Sequence, residues 1–548
     1  MPLKAVDSHR RFQSQETQTV LEHNQKRVLD LTAKRRFRSA WLLLCFTLLG
    51  FAVMGYHPGL EDDGLYLSAV KMDLNPALYP HDAEFFRIQL EASYFDKIMA
   101  SAVRLTGMPV AVMELAGQLA AIAIVVFACW RIACSLFEEE RARWAGTAMV
   151  AAMFTLPVAG TGLFLLDQHL HARNAATALI LLAVWRVLED RRWQAAPLLA
   201  IALLIHPIMA AAGVCFCFFL GACLSEPVRL WVSSWHRAPS AASLAAAVPL
   251  GWIFESPNPL WKKALDTRTY YYLYKWTWYE WLGALAPIFL FWLLWRVASK
   301  HGQTRLARFS LAVFVYAAVC QAIAMTLLAV PSLIRLTPLQ PMRYLQIVYF
   351  FMALIAGCLA GKYLLKGSVW RWAVFLVIFN GAMFVAQRLE FGNSAHIEWP
   401  GSAPANPWLQ AFAWIRTNTP TDAYFALDPR YLALPKEDYH SFRALAERSQ
   451  LADAIKDSAV VTQVPELGPL WNTQVEAQQG WKSFGLQDFE RLRNQFGVTW
   501  VLVRYPWPAG LDCRWHNQSL SVCEVPEKNS NDQNVNDSGP NSNLRFAE

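Results

Sequence analysis

Apolar runs long enough to cross a bilayer recur from residue 39 to about residue 388, and such a pattern requires a bundle of membrane helices. Mean hydropathy is +0.22. Hydrophobic residues make up 55% of the chain and charged residues 17%, which excludes an ordinary soluble enzyme. The net charge of +7 is spread over short loops between apolar runs. That distribution sets membrane topology and argues against a nucleic-acid partner.

The pattern divides the chain into five parts: a cytosolic tail over 1–38, a transmembrane domain over 39–390, a linker over 391–406, a small extracytoplasmic α/β domain over 407–527, and a disordered tail over 528–548. Lys34, Arg35, Arg36 and Arg38 precede the first apolar run, 39–56, and direct it outward. Two polar-faced helices, over 65–74 and 83–105, should lie along the outer surface. Further spans are read over 109–130 and 145–166, and a fourth ends at Arg186. The run 194–224 is broken at His206–Pro207, because proline has no N–H and disrupts a helix. It reads as two short spans, with one long kinked helix as the alternative. Spans over 240–254, 281–298, 306–330, 343–361 and 370–389 complete a count of about eleven, or ten with the kinked helix. On the two-span reading Arg229 and Arg237 are inside. The fold class is therefore an α-helical polytopic membrane protein with a small α/β domain at the outer face. That domain should contain helices over 408–417 and 486–496, strands over 423–427, 460–464 and 498–504, and a hairpin around Asn517–Gln518. Cys513 and Cys523 flank the hairpin and can pair if the domain is outside the cytosol.

Just after the first span, Glu61, Asp62 and Asp63 stand in sequence between Gly59 and Gly64. Adjacent acids repel one another, and a cation or a proton-bearing substrate relieves that. One of them can serve as general base on an acceptor hydroxyl, or hold Mg²⁺ or Mn²⁺ against a phosphate leaving group. The structural alternative is an ordinary solvated turn. A second polar cluster, Asp167, His169, His171 and Arg173, follows the third span. It suits a phosphate or a sugar, or simply caps the next helix. His206 is ionisable within an apolar run. Tyr270 to Trp281 is the densest aromatic run, an interface belt or the border of a sugar site, with Lys275 inside it. Arg343 opens a span after a Pro-rich loop that also holds Arg335, and is suited to a departing phosphate.

An outward first span, an acidic pair directly after it and surface helices before the second span resemble the C-type (GT-C) superfamily of membrane glycosyltransferases. That superfamily includes protein mannosyltransferases, aminoarabinose lipid A transferases and oligosaccharyltransferase catalytic subunits. The resemblance covers the transmembrane domain, and the stretch Trp414-Ile-Arg-Thr-Asn-Thr-Pro420 extends it to the terminal domain. It implies transfer of a sugar from a polyprenyl-phosphate donor to a lipid, glycan or protein acceptor on the outer face, with a bacterial inner (plasma) membrane as the location. It places the first-loop acidic pair on Glu61, Asp62 and Asp63, with Asp62 and Asp63 ahead, and the second acidic site on Asp167. Any metal, Mg²⁺ or Mn²⁺, would fall to Asp62, Asp63 and Asp167. Metal-using relatives have another carboxylate near the second site, where this chain has His169, His171 and Arg173. A non-catalytic assembly subunit and a transporter are the rival readings. The transporter predicts ionisable residues along mid-membrane, for which Glu114 is one candidate.

Overall fold

The computed structural model describes residues 33–225 and 258–526. The expected span over 240–254, Arg229, Arg237 and most of both tails lie outside the described residues. Among those described, seven helices are long and apolar enough to cross a membrane: α1 (Ala33–Met54), α5 (Val110–Leu136), α9 (Pro207–Leu224), and those over Trp278–Lys300, Thr304–Ala329, Pro341–Leu365 and Val369–Glu390. The chain is an integral membrane protein.

Between α1 and α5 the connecting segment forms α2 (Asp63–Leu74), α3 (Arg87–Ala92) and α4 (Phe95–Thr106). Gly107, with φ of 68°, closes α4 by donating its N–H to Val103 O, and Pro109 opens α5.

The expected third span is not one helix. α6 (Glu140–Ala152) stops at Ala152, and a hairpin of β1 (Pro157–Val158) and β2 (Leu163–Phe164) follows. Gly160 turns the hairpin with φ of 67°. A Cβ there would meet the Trp276 ring at 2.4 Å, so both the turn and the close approach require glycine. α7 (Ala172–Leu188) then re-enters the bundle. The break at His206–Pro207 is present: α8 (Arg192–Ile205) ends there and α9 begins, and both pack on α7.

α6 lies in backbone contact with the helix over Leu345–Leu359. A Cβ on Gly357 would meet Ala145 O at 2.6 Å, and one on Gly361 would meet Arg141 O at 2.7 Å. Glycines four apart allow the two backbones to approach, which gains close packing where no hydrophobic driving force separates helix from lipid.

The C-terminal region is a five-stranded mixed sheet of order β4-β3-β5-β7-β6. The strands are β3 (Tyr424–Leu427), β4 (Ser449–Gln450), β5 (Trp500–Arg504), β6 (Asp512–His516) and β7 (Leu520–Glu524). Alternate residues serve opposite faces, as strand geometry dictates. Phe425, Leu427, Trp500 and Leu502 pack with Trp408, Phe412 and Ile415 of the helix over Pro407–Asn418. Tyr424, Ala426, Val501 and Val503 pack with Phe489 and Leu492 of the helix over Leu486–Phe496. Cys513 and Cys523 form a disulfide across β6 and β7. The expected strand over 460–464 is instead part of a helix over Lys456–Gln463. Val460 and Val461 are buried on different neighbours: Val460 packs with α2 residues, and Val461 with Phe85 and Trp471.

This domain is docked on the segment between α1 and α5. Arg443 is buried and forms a bidentate pair with Asp457, 2.7 and 2.9 Å, while its Nε donates to Asp82 of the first loop. Lys71 of α2 donates to Ala444 O at 2.6 Å and to Glu447 at 2.7 Å. Leu60 and His440 form an antiparallel bridge.

Candidate functional site

The acidic turn begins at Gly59, whose φ is 80° and whose Cα lies against Leu445. Its N–H donates to Asp63 Oδ2 at 2.8 Å, which draws Asp63 inward at the start of α2. Asp63 is buried, and its Oδ1 stands 3.7 Å from His169 Nε2. Burial pushes its pKa up to about 8, opposed by His169 and reinforced by Glu114. A carboxyl raised above its unfolded value stabilises the fold fully at low pH and loses that contribution as pH rises towards 8. The thermal midpoint is therefore expected to decline between pH 4 and 8, and Asp63→Asn should flatten that decline by several degrees at the alkaline end. Equal slopes for the two proteins in a pH series would refute this.

Asp62 faces the other way, with 27% of its side chain exposed. Lys456 Nζ donates to Asp62 Oδ1 at 2.8 Å and to Glu61 at 2.6 Å. Arg173 Nη2 reaches Asp62 Oδ2 at 3.4 Å and His171 Nε2 reaches it at 3.5 Å. Burial alone would raise Asp62, but Lys456, His171 and Arg173 outweigh it and hold the carboxyl well below the usual range. Lys456 belongs to the C-terminal domain, in which the sequence displays no catalytic constellation. Nothing local marks it, because its partners lie nearly four hundred residues earlier.

The second cluster is built around α7. His171 caps the helix, its Nδ1 accepting from Arg173 N at 2.9 Å. In the neutral ring Nε2 then carries the proton, and that N–H faces Asp62. Burial, with Arg173 beside it, pushes His171 down to about 4, so the ring is neutral near pH 7. Arg173 grips Asp167 with two bonds, 2.9 and 2.8 Å. Burial alone would raise Asp167, but Arg173 and the two histidines bring it down to about 2. Asn174 pins the loop by donating to Asp167 O and His169 O, each at 3.0 Å. Gln118 of α5 donates to Asp167 O at 2.8 Å.

The structure thus brings Glu61, Asp62, Asp63, Asp167, His169, His171 and Arg173 to one place, with Tyr66 4.5 Å from the His171 ring. His206 joins at the edge, its ring 6.2 Å from that of His171 and its Nδ1 accepting from Met209 N. Arg343 lies within electrostatic range of Arg173, Asp62, Tyr270 and Tyr271. With Gly160 and Thr161 of the hairpin, it lines a cavity of about 10 Å³, room for one water. Its Nε is buried without a hydrogen-bond partner. Lys275 turns elsewhere: it is exposed, with its ammonium 4.8 Å from the Tyr272 ring and 5.9 Å from that of Tyr274.

These carboxylates do not form a divalent-cation site as arranged. Both oxygens of Asp167 are occupied by Arg173, Asp62 is neutralised by Lys456 and Arg173, and Asp63 offers one oxygen beside one histidine. A further cation would be repelled by the two already present.

No family model matches the chain, and no curated protein does. Among solved structures it is similar to the apo oligosaccharyltransferase of Archaeoglobus fulgidus, with 11% identity, a TM-score of 0.42, and coverage of 85% of this chain and 69% of that one. It is similar to AglB from the same organism in complex with an inhibitory peptide and a dolichol-phosphate, with 12% identity, a TM-score of 0.44, and coverage of 86% and 70%. A third, the A. fulgidus enzyme with Zn and sulfate, has 11% identity, a TM-score of 0.38, and coverage of 84% and 68%.

Proposed function

We propose that this protein is a C-type membrane glycosyltransferase that passes a sugar from a polyprenyl-phosphate donor to a lipid, glycan or protein acceptor on the outer face of a bacterial plasma membrane. One observation carries the reading. A partly exposed carboxylate, held ionised, sits beside Arg173 and in range of Arg343, a guanidinium with an unsatisfied buried N–H. In this reading the protein has about eleven spans, a cytosolic N-terminus and an external domain over 407–527.

The reaction is one displacement at the anomeric carbon. The acceptor oxygen or nitrogen attacks, its bond to the carbon forms as the carbon–oxygen bond to phosphate breaks, and Asp62 takes the acceptor proton. Arg343, seconded by Arg173, stabilises the phosphate that departs with both bonding electrons. Asp63 is a positioning residue that anchors the turn. His169, His171 and His206 frame the sugar, and Tyr270 and Tyr271 border it. No step requires a metal at these carboxylates.

Release of polyprenyl phosphate from a panel of labelled lipid-linked sugars, with the full chain in lipid vesicles, tests this. Release from at least one donor in the presence of an acceptor is expected. Absence of release from every donor would overturn it in favour of an assembly subunit or transporter.

Lys456 supplies a second check. Its charge helps hold Asp62 below the usual carboxylate range. Lys456→Met should move the acid limb of the kcat/KM profile upward, towards the ordinary value of about 3.9. An unmoved limb would separate Lys456 from the reacting carboxylate.

A further inference from the structure

A cluster of metal-ligating side chains stands outside the acidic centre. His57 Nδ1 lies 3.2 Å from Glu398 Oε1, and His440 Nε2 lies 3.1 Å from the same carboxylate. The three ligand atoms are all within 4.8 Å of one another, and among the described residues this is the one such trio. Both histidines are buried. Each residue comes from a different part of the chain: the end of the first membrane helix, the linker, and the C-terminal domain.

We propose that His57, Glu398 and His440 form a zinc-class metal site that ties the first outer loop, the linker and the C-terminal domain together. Two imidazoles and one carboxylate are a donor set of zinc rather than of magnesium or calcium, which take mostly oxygen. Ligands about 2.0–2.2 Å from a tetrahedral ion stand roughly 3.3–3.6 Å apart. Both imidazole–carboxylate spacings lie within a few tenths of an ångström of that, and the two imidazole nitrogens, within 4.8 Å of each other, close on the ion by a small ring movement.

The donors are held in place before any ion arrives. The His57 ring stacks on Phe391 with centroids 4.2 Å apart, and its backbone N–H donates to Gln168 O at 2.9 Å. Tyr56 bridges to Ile397, and Leu60 bridges to His440, so the backbone beside every ligand is paired across segments. Glu398 also lines a cavity of about 180 Å³ with Pro58, Trp399 and Arg416, on the carboxylate side of the trio.

The test uses the purified full chain in detergent, stripped with a chelator and then titrated with cobalt(II) alone and zinc(II) alone. One equivalent of cobalt should give the intense visible absorption of a tetrahedral ion, displaced by one equivalent of zinc. Glu398→Gln and His440→Ala should each weaken zinc by at least about 100-fold, since even the outer partners of ligands are worth 10–100-fold. Asp63→Asn should keep the spectrum, which distinguishes this site from the acidic centre. Absence of a tetrahedral cobalt spectrum in the wild type overturns the proposal however the variants fold. So does a spectrum that survives both ligand substitutions.

Discussion

Replacing Asp62 by asparagine is expected to slow transfer of a lipid-linked sugar by about 10²–10⁴-fold, the range lost with a general base. Asparagine keeps the side chain's size and its one oxygen can still accept from Lys456 or from Arg173, though not from both, so the change removes proton-accepting capacity with little change of shape. The loss should therefore fall on kcat, with donor KM altered much less. Asp63→Asn should cost far less rate, because Asp63 is buried and bonded to Gly59 rather than presented to substrate. Single-turnover release from the best donor, measured for both variants, checks the pair. Equal losses at the two positions would mean the turn acts as a unit. An undiminished rate in Asp62→Asn would remove the base from the mechanism.

Replacing Arg443 by methionine is expected to destabilise the docked C-terminal domain by about 3–5 kcal/mol, the usual effect of removing one partner from a buried charge cluster. The guanidinium neutralises two buried carboxylates, Asp82 and Asp457, which come from the first loop and the C-terminal domain. Without it both must be protonated or hydrated. Cleavage within 391–406 by limited proteolysis should become rapid in the variant. A second change, Asp457→Asn, should restore part of the loss, since one of the stranded charges is then gone. Slow cleavage in Arg443→Met would show that docking rests on the apolar contacts instead. Because Asp457 follows Lys456, a displaced domain should also raise Asp62 towards an ordinary carboxylate.

Local chemistry made parts of this legible in advance. Proline's missing N–H marked the break at His206, and Phe489 and Leu492 lie on the buried face of a helix read with its observed bounds, 486–496. The hairpin with Cys513 and Cys523 is read from the turn at Asn517–Gln518 and pairs as β6 with β7. The acidic turn and the Asp167–Arg173 stretch stand out in the sequence as polar clusters bordering apolar runs, and the fold brings them together. Other features had no local signal. The run 145–166 is apolar throughout, so hydropathy hid the turn that Gly160 and Gly162 make within it. Val460, Val461 and Thr462 are β-branched, yet packing of the two valines against α2 and Trp471 overrides that propensity and leaves them helical. Lys456 at Asp62, and the convergence of His57, Glu398 and His440, depend on separations of hundreds of residues that only the folded chain brings together.

The position of Lys456 in the chain also bears on biosynthesis. The described helices between Ala33 and Glu390 that are long and apolar enough to cross a membrane all precede Lys456 and leave the ribosome before the segment that carries it. Until that segment docks, Asp62 and Glu61 lack their ammonium partner. A nascent chain paused before that point therefore presents Glu61 and Asp62 without the ammonium that bridges them. Full pairing of the acidic turn therefore waits until the C-terminal domain has been made and has docked.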